Sequence, residues 1–305
     1  MGAGTDVNDD PVRPDVVVVG SAARDIDPTD PRGWRLGGGV TYGALACARL
    51  GLRTAALIGL DAPAMDAHEL ALLEDAGVEL RRVALPTGPV FRNVEQPGGR
   101  VQTCLSTATP VPTDALPPGW RGTRSWLLAP VAGEVPDTWA EIPAPDSVVA
   151  FGWQGILRHL ATGDRVTRVL PTPNPLLARS DIAGVSRHDV PHDLPLPALL
   201  GMLRPGARLL LTAGERGGAL LHLDEQGGVR GRAYPPILAR LDLDPTGAGD
   251  ATLAAILAAR LAQDPGQAWE ARATHLAALA GSLLVEQVGL PAVPTLHAIR
   301  ERSAT

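Results

Sequence analysis

The feature that most limits what this chain can fold into is a repeated alternation of short apolar runs with helical stretches. Residues 16–19 are four valines ending at Gly20, the pattern of a strand buried on both faces. From Gly37, GGGVTYGALACARLGLRTAALIGLD reads as a glycine turn, a helix, a glycine stop at Gly51, and a strand from about Arg53 to Ile58. Leu70, Leu72 and Leu73 suggest a helix ending near Gly77, with a short strand over 78–83. The rhythm resumes with apolar runs at 126–131, 148–151, 182–185 and 209–211, and with a hairpin from 218 through Gln226-Gly227-Gly228. The stretch VPHDLPLP reads as loop, and a last helix is expected over about 269–285. Strands alternating with helices imply an α/β fold, a doubly wound and mostly parallel sheet with flanking helices.

One segment breaks the rhythm. Residues 87–111 are polar and β-prone around Pro97-Gly98-Gly99, and FRNVEQ and RVQTCLST look like the two strands of an exposed hairpin. The expected organisation is a disordered tail over 1–14, then one domain over 15–305 with a small β lid inserted at about 87–111. An edge strand of such a lid can pair with a second subunit, so a homodimer through the lid is one expectation.

Composition excludes several classes. At 305 residues the chain can bury a large core. A net charge of −6 argues against nucleic acid or an anionic membrane as partner. Every permanent cation is Arg; the absence of Lys removes the Lys-bearing phosphate loop and any Schiff-base mechanism. Cys47 and Cys104 are too few for a disulfide framework and read as small buried apolar residues. The start, MGAGTDVNDDPVRPD, has no secretory pattern, and no apolar run reaches membrane length, so a cytoplasmic location is expected.

The chemistry concentrates in LDLDPTGAGDATLAAILAARL, residues 241–261. Leu253, Ile256, Leu257 and Leu261 mark one buried helical face, and alanines fill the gaps. The helix therefore starts near Gly249 or Asp250. A helix start offers unpaired N–H groups, and glycines let a ligand approach the backbone, which together make an anion pocket. Asp250 would repel that anion. It is either an ordinary first-turn acid or a base that takes the proton of a hydroxyl attacking a phosphate.

Four features lie in a particular order: Gly20 with Asp25; Gly37-Gly38 before a helix ending Ala48-Arg49-Leu50-Gly51; Thr212-Ala213-Gly214-Glu215-Arg216-Gly217; and Asp244-Pro245-Thr246-Gly247-Ala248-Gly249-Asp250. In that order they resemble the ribokinase-like (PfkB) carbohydrate kinases over nearly the whole chain. GGGVTYGALACARLG with Gln154-Gly155-Ile156-Leu157-Arg158 looks like a divergent branch that includes inositol-type kinases. The resemblance implies a doubly wound α/β domain with a β lid over the acceptor, and transfer of the ATP γ-phosphoryl group to a hydroxyl of a sugar, polyol or cyclitol. It implies Asp250 as catalytic base, expected to stay ionised at the positive helix start, with Gly247, Ala248 and Gly249 as the anion hole. Asp25, Gly37, Gly38 and Tyr42 fall at the acceptor site. Thr212, Gly214, Gly217, Thr246 and Ser186 fall on the nucleotide and phosphate side. Ser186 and Asp189 stand where the family has Asn-x-x-Glu, making Asp189 the candidate for ordering Mg²⁺. A monovalent cation near the anion hole is a further expectation.

The departures are Tyr42 and Ala23 where the family often has Asn, and Ala278 in place of an Asn near adenine. They leave the acceptor undefined and keep two rivals open: a nucleoside kinase with the same machinery, and a non-catalytic sugar-binding relative. Arg158 reads as a surface ion pair or as a contact to phosphate or substrate. Trp34 reads as core or as a sugar platform. His188-Asp189-Val190-Pro191-His192-Asp193 has metal-capable letters, but Pro191 prevents one helical face from presenting both histidines.

Overall fold

The structure is a computed structural model that describes residues 13–96, 99–262 and 269–304. Residues 1–12 of the expected tail, and the expected turn at Pro97-Gly98, lie outside them. Strand β1 (Val16–Ser21) is buried along its whole length. Val16 and Val18 enter one core and Val17 and Val19 the other. A strand covered on both faces has no use for polar alternation, so its sequence is an unbroken apolar run.

After the single residue Ala22 the chain continues as β2 (Ala23–Ile26), returns as β3 (Trp34–Gly37) and enters α1 (Gly39–Arg49). Then come β4 (Thr54–Leu60), α2 (Leu70–Asp75), β5 (Glu79–Ala84), and the hairpin β6 (Val90–Gln96) and β7 (Gly99–Ser106). The second half runs β8 (Ser125–Leu128), β9 (Val148–Gly152), the short pair β10 (Arg158–His159) and β11 (Thr167–Arg168), α3 (Pro175–Arg179), β12 (Ile182–Ser186), α4 (Leu196–Leu200) and β13 (Arg208–Thr212). It ends with the hairpin β14 (Gly218–Leu223) and β15 (Val229–Tyr234), then α5 (Ala248–Leu261), α6 (Trp269–Leu284) and α7 (Leu296–Ser303).

One nine-stranded sheet has the order β15-β14-β13-β12-β9-β8-β1-β4-β5. Strands β13 to β5 in that order are parallel, and β14 and β15 form an antiparallel edge. Successive connections run one way from β1 to β4 and β5, and the other way from β8 outward. The direction therefore reverses between β1 and β8, and a crevice opens there at the carboxyl ends of the strands. Helices α1, α5 and α6 cover one face. Trp120, Trp126, Trp139 and Trp153 fill the core on the other. Cys47 and Cys104 are buried and unbridged, as expected; burial pushes the Cys47 thiol up to about 12. No helix among the described residues is long and apolar enough to cross a membrane.

The lid is a four-stranded sheet, β3-β2-β6-β7. The expected hairpin supplies β6 and β7. The other two strands, ARDI and WRLG, carry no strand signature and exist because each pairs with a neighbour. Helix α4 starts in the last two residues of the stretch read as loop and runs past it; Pro195 and Pro197 open it rather than break it, since first-turn N–H groups lack helical partners.

Candidate active site

Because β1 passes into β2 through one residue, the core sheet runs directly into the lid, and Asp25 on β2 stands at the join. Asn93 on β6 donates from Nδ2 to Asp25 Oδ1 at 3.0 Å, and Gln102 on β7 donates from Nε2 to Asn93 Oδ1 at 2.8 Å. This relay orients Asp25 toward a cleft of about 780 Å³, large enough for a small acceptor and a donor together. Beneath it, the fully buried Glu134 accepts backbone N–H groups from Ser21 at 3.0 Å, Val131 at 3.1 Å and Ala132 at 2.7 Å. Glu134 thereby ties the end of β1 to the segment after β8, whose Pro130 and Val131 line the cleft.

The glycine triplet has specific steric work. Gly38 has φ 101, and a Cβ there would lie 2.7 Å from Ser21 O. At Gly37 a Cβ would meet Asp25 Oδ2 at 2.6 Å, so Gly37 makes room for the acid from behind and does not line the cleft. Gly39, the first residue of α1, lies where a Cβ would be 2.9 Å from Asp250 Oδ1. The third glycine of the run is thus a site residue that the sequence reading passed over, although the triplet was its signal.

Asp250 lies in the first turn of α5, whose cap Gly247 has the left-handed φ of 82. The Tyr42 ring fills the space beside Gly247, where a Cβ would come within 2.2 Å of Tyr42 Cδ1. The loop is shaped from below by Asp244, whose Oδ1 accepts Thr246 N–H at 3.0 Å. Ala248 N–H is engaged with Pro245 O at 3.1 Å. Gly249 faces open space, with nothing within 4 Å of a would-be Cβ. The start of α1 meets Asp250 as well, so two helix starts converge on one carboxylate. Desolvation nevertheless dominates: it raises the Asp250 carboxyl to about 6, with Arg158 pulling the other way. The expectation of an ordinary ionised acid is therefore refined. Asp250 titrates close to neutrality, where a general base is most effective.

On the far side of the cleft stand Thr212, Gly214 and Gly217, with Ser186 and Asp189 at the end of β12. Gly217 has φ 81 and lies against β15, where a Cβ would meet Tyr234 O at 2.3 Å. Tyr234, Ile237, Ala277, Ala278 and Gly281 give this end an apolar wall of mostly small side chains. Asp189 lies 3.8 Å from Arg168 Nε, and Ser186 Oγ accepts His188 N–H at 3.2 Å. No cluster of metal-ligating side chains exists among the described residues, at His188–His192 or elsewhere. All the sequence-predicted site residues except Gly37 line this one cleft.

Two further readings are settled by position. Trp34 is stacked under Arg32 at 4.3 Å and Arg24 at 5.6 Å, away from the cleft. The aromatic side chains that line the cleft are Tyr42, Tyr234 and Phe91, the last in register with Asp25. Arg158 makes no surface ion pair. It faces the cleft, within electrostatic reach of Asp189, Asp250 and Asp25, and desolvation lowers its pKa from the usual value.

No protein-family model and no curated protein sequence matches this chain. Solved structures do match. A pyrophosphate-dependent kinase of the ribokinase family, complexed with a pyrophosphate analogue and myo-inositol, has a TM-score of 0.73 at 19% identity, over 94% of this chain and 99% of that one. Arabidopsis thaliana ribokinase with ribose and ATP has a TM-score of 0.65 at 21% identity, over 95% and 98%. The Methanocaldococcus jannaschii nucleoside kinase, an archaeal member of the same family, has a TM-score of 0.66 at 16% identity, over 94% and 97%. The chain has the ribokinase fold. In this chain Gly38 and Gly39 line the same crevice as residues 245–250, about 200 residues away in the sequence.

Proposed function

We propose that this ribokinase-fold protein is a phosphotransferase that moves the γ-phosphoryl group of ATP to a hydroxyl of a small sugar, polyol or cyclitol. The observation that carries the reading is Asp250: a desolvated carboxylate titrating near 6, at two converging helix starts, in one cleft with Asp25 and with Gly249, which faces open space. Asp250 takes the proton of the acceptor hydroxyl as its oxygen attacks the γ-phosphorus. The bond between that phosphorus and the β–γ bridging oxygen breaks, and ADP leaves with the bond's electron pair. Backbone N–H groups at the start of α5 hold the oxygens of the transferred group. Asp25, held by Asn93, accepts hydrogen bonds from two acceptor hydroxyls. The small-residue apolar wall suits a flat base, which favours a nucleotide donor over bare pyrophosphate.

Mg²⁺ would enter with the donor phosphates, since no side-chain cluster among the described residues could hold it alone. The cleft is lined by Asp25, Asp189, Glu215, Asp242 and Asp250 against one guanidinium, so a polyphosphate needs a divalent counter-charge to enter. Asp189 would hold the ion, through water or directly, and the ion would neutralise phosphate charge.

The test is ADP release from Mg²⁺-ATP over pentoses, hexoses, cyclitols, aminocyclitols and nucleosides, with pyrophosphate as an alternative donor. One sugar or cyclitol should stimulate release, and Asp250→Asn should lower turnover about 10²–10⁴-fold. Full turnover by Asp250→Asn would sink the mechanism. A nucleoside outcompeting every sugar would make the protein a nucleoside kinase, and tight sugar binding without ADP release a binding protein.

A further inference from the structure

Arg158 is anomalous for a guanidinium in a polar cleft. Its side chain makes no hydrogen bond or ion pair with any described residue, although three carboxylates lie within electrostatic reach. Among the described residues lining the cleft it is the only Arg, in a chain without Lys. A partly buried guanidinium presents five N–H donors in a fixed fork and loses solvation without a protein partner in return, which is the signature of a group kept for a ligand anion.

The segment that carries Arg158 adds a second observation. Strands β10 and β11 form a hairpin with Arg158 opposite Arg168. The loop of that hairpin is hydrogen-bonded to lid strand β7 along its edge: Cys104 N–H to Asp164 O at 2.9 Å, Gly163 N–H to Cys104 O at 2.7 Å, and Val166 N–H to Gln102 O at 2.8 Å. Leu160 and Val166 also pack with Phe91 and Cys104 of the lid. Gln102 is the residue whose side chain supports Asn93 and, through it, Asp25. The acceptor-binding relay and Arg158 are thus mounted on one hydrogen-bonded unit.

We propose that Arg158 is a catalytic residue: its guanidinium binds the transferring phosphoryl group and is set in place by the lid when the acceptor is bound. The ligand anion belongs to the donor because the acceptor end presents a carboxylate, Asp25, and side-chain amides, which would repel or fail to neutralise an anionic acceptor. Charge that spreads over the phosphoryl oxygens during transfer falls on Arg158 and on the first-turn amides of α5 from different sides. The coupling also gives a reason for low ATP hydrolysis without acceptor, since an unset Arg158 leaves that charge unsupported.

This inference rests on the phosphotransferase reading, and the experiment separates the two. Thermal shifts are measured with Mg²⁺-ADP and with the non-hydrolysable Mg²⁺-AMP-PNP on wild type, Arg158→Gln and Arg158→Lys. Wild type should gain more from the triphosphate analogue; Arg158→Gln should respond equally to both, having lost the contact to the third phosphate. With the acceptor identified by the panel, Arg158→Gln should lower kcat about 10²–10³-fold while the acceptor KM stays within threefold, and Arg158→Lys should recover part of the loss. If Arg158→Gln keeps both the triphosphate increment and wild-type kcat, the proposal is overturned. If Arg158→Gln instead raises the acceptor KM with kcat intact, the guanidinium serves the acceptor and the proposal is equally overturned. If wild type responds to neither nucleotide, the nucleotide-donor reading itself has failed and takes this inference with it.

Discussion

Asp250 is pulled by desolvation toward the neutral acid and by Arg158 toward the carboxylate, and desolvation is the larger. Its proton therefore leaves near pH 6 instead of near 4, and only the ionised form can accept a hydroxyl proton. The expected kcat/KM is flat above about pH 7 and falls tenfold per unit below about 6. In a profile over pH 4.5–9, activity that stays flat down to pH 5 would show that burial does not govern this group. The two glycines of the same loop should separate by phenotype. Gly247→Ala forces a left-handed residue and a collision with Tyr42, so the melting temperature should drop by several degrees, from about 2–4 kcal/mol of lost stability. Gly249→Ala meets no protein atom within 4 Å, so it should melt like wild type yet lose about 10²-fold in kcat/KM, because its methyl would occupy cleft space at the proposed anion hole. Neither distinction is visible in the letters. The sequence offers two glycines flanking an alanine, and only their surroundings tell a fold requirement from a ligand requirement.

Between elements, Glu134 shows how a buried acid can be structural. It lies just past β8, fully buried, and its two oxygens receive N–H groups from three residues. Desolvation raises its pKa above the usual carboxylate range, opposed by those hydrogen bonds. In Glu134→Gln one oxygen becomes an NH₂ facing backbone N–H donors, so a loss of about 2–4 kcal/mol is expected, read as a lower urea midpoint with an unchanged slope. An unchanged midpoint would mean that the loop after β8 holds itself. Element types were legible where a period or punctuation exists: the valine run of β1, the Gly38–Gly51 brackets of α1, the alanine-rich α5. They were illegible where pairing alone makes the element. Four-residue β2 and β3 and two-residue β10 and β11 are too short for any period; β2 pairs with β3 and with the distant β6, and β10 pairs with β11, so pairing alone satisfies their carbonyls and amides.

Across the whole molecule, the lid and the DPTGAGD loop are joined by Arg35 of β3. Its Nε lies 2.7 Å from Asp27, and its Nη1, itself buried, lies 3.6 Å from Asp244, which braces the loop before α5. The buried Asp244 therefore already has a positive neighbour, and a monovalent cation there would compete with a tethered one. Replacing K⁺ by tetramethylammonium at constant ionic strength should change the turnover of the wild type less than twofold; tenfold stimulation by K⁺ would show that Arg35 does not fill that role. In Arg35→Gln a K⁺ dependence should appear.

By itself the sequence determined the layered α/β class, the place of the lid hairpin, the buried cysteines, and the glycine turn that starts α5 with its acid. Each of these is written in local terms, as a period, a glycine stop or a contiguous motif. Only the tertiary structure decided that Arg158 faces the cleft without a partner, that Trp34 is held between arginines and not aimed at an acceptor, that Gly39 lies against Asp250, and that the acid titrates near neutrality. Those properties come from burial, charge and hydrogen-bond partners that residues far apart in the chain impose on one another, and no window of sequence contains them.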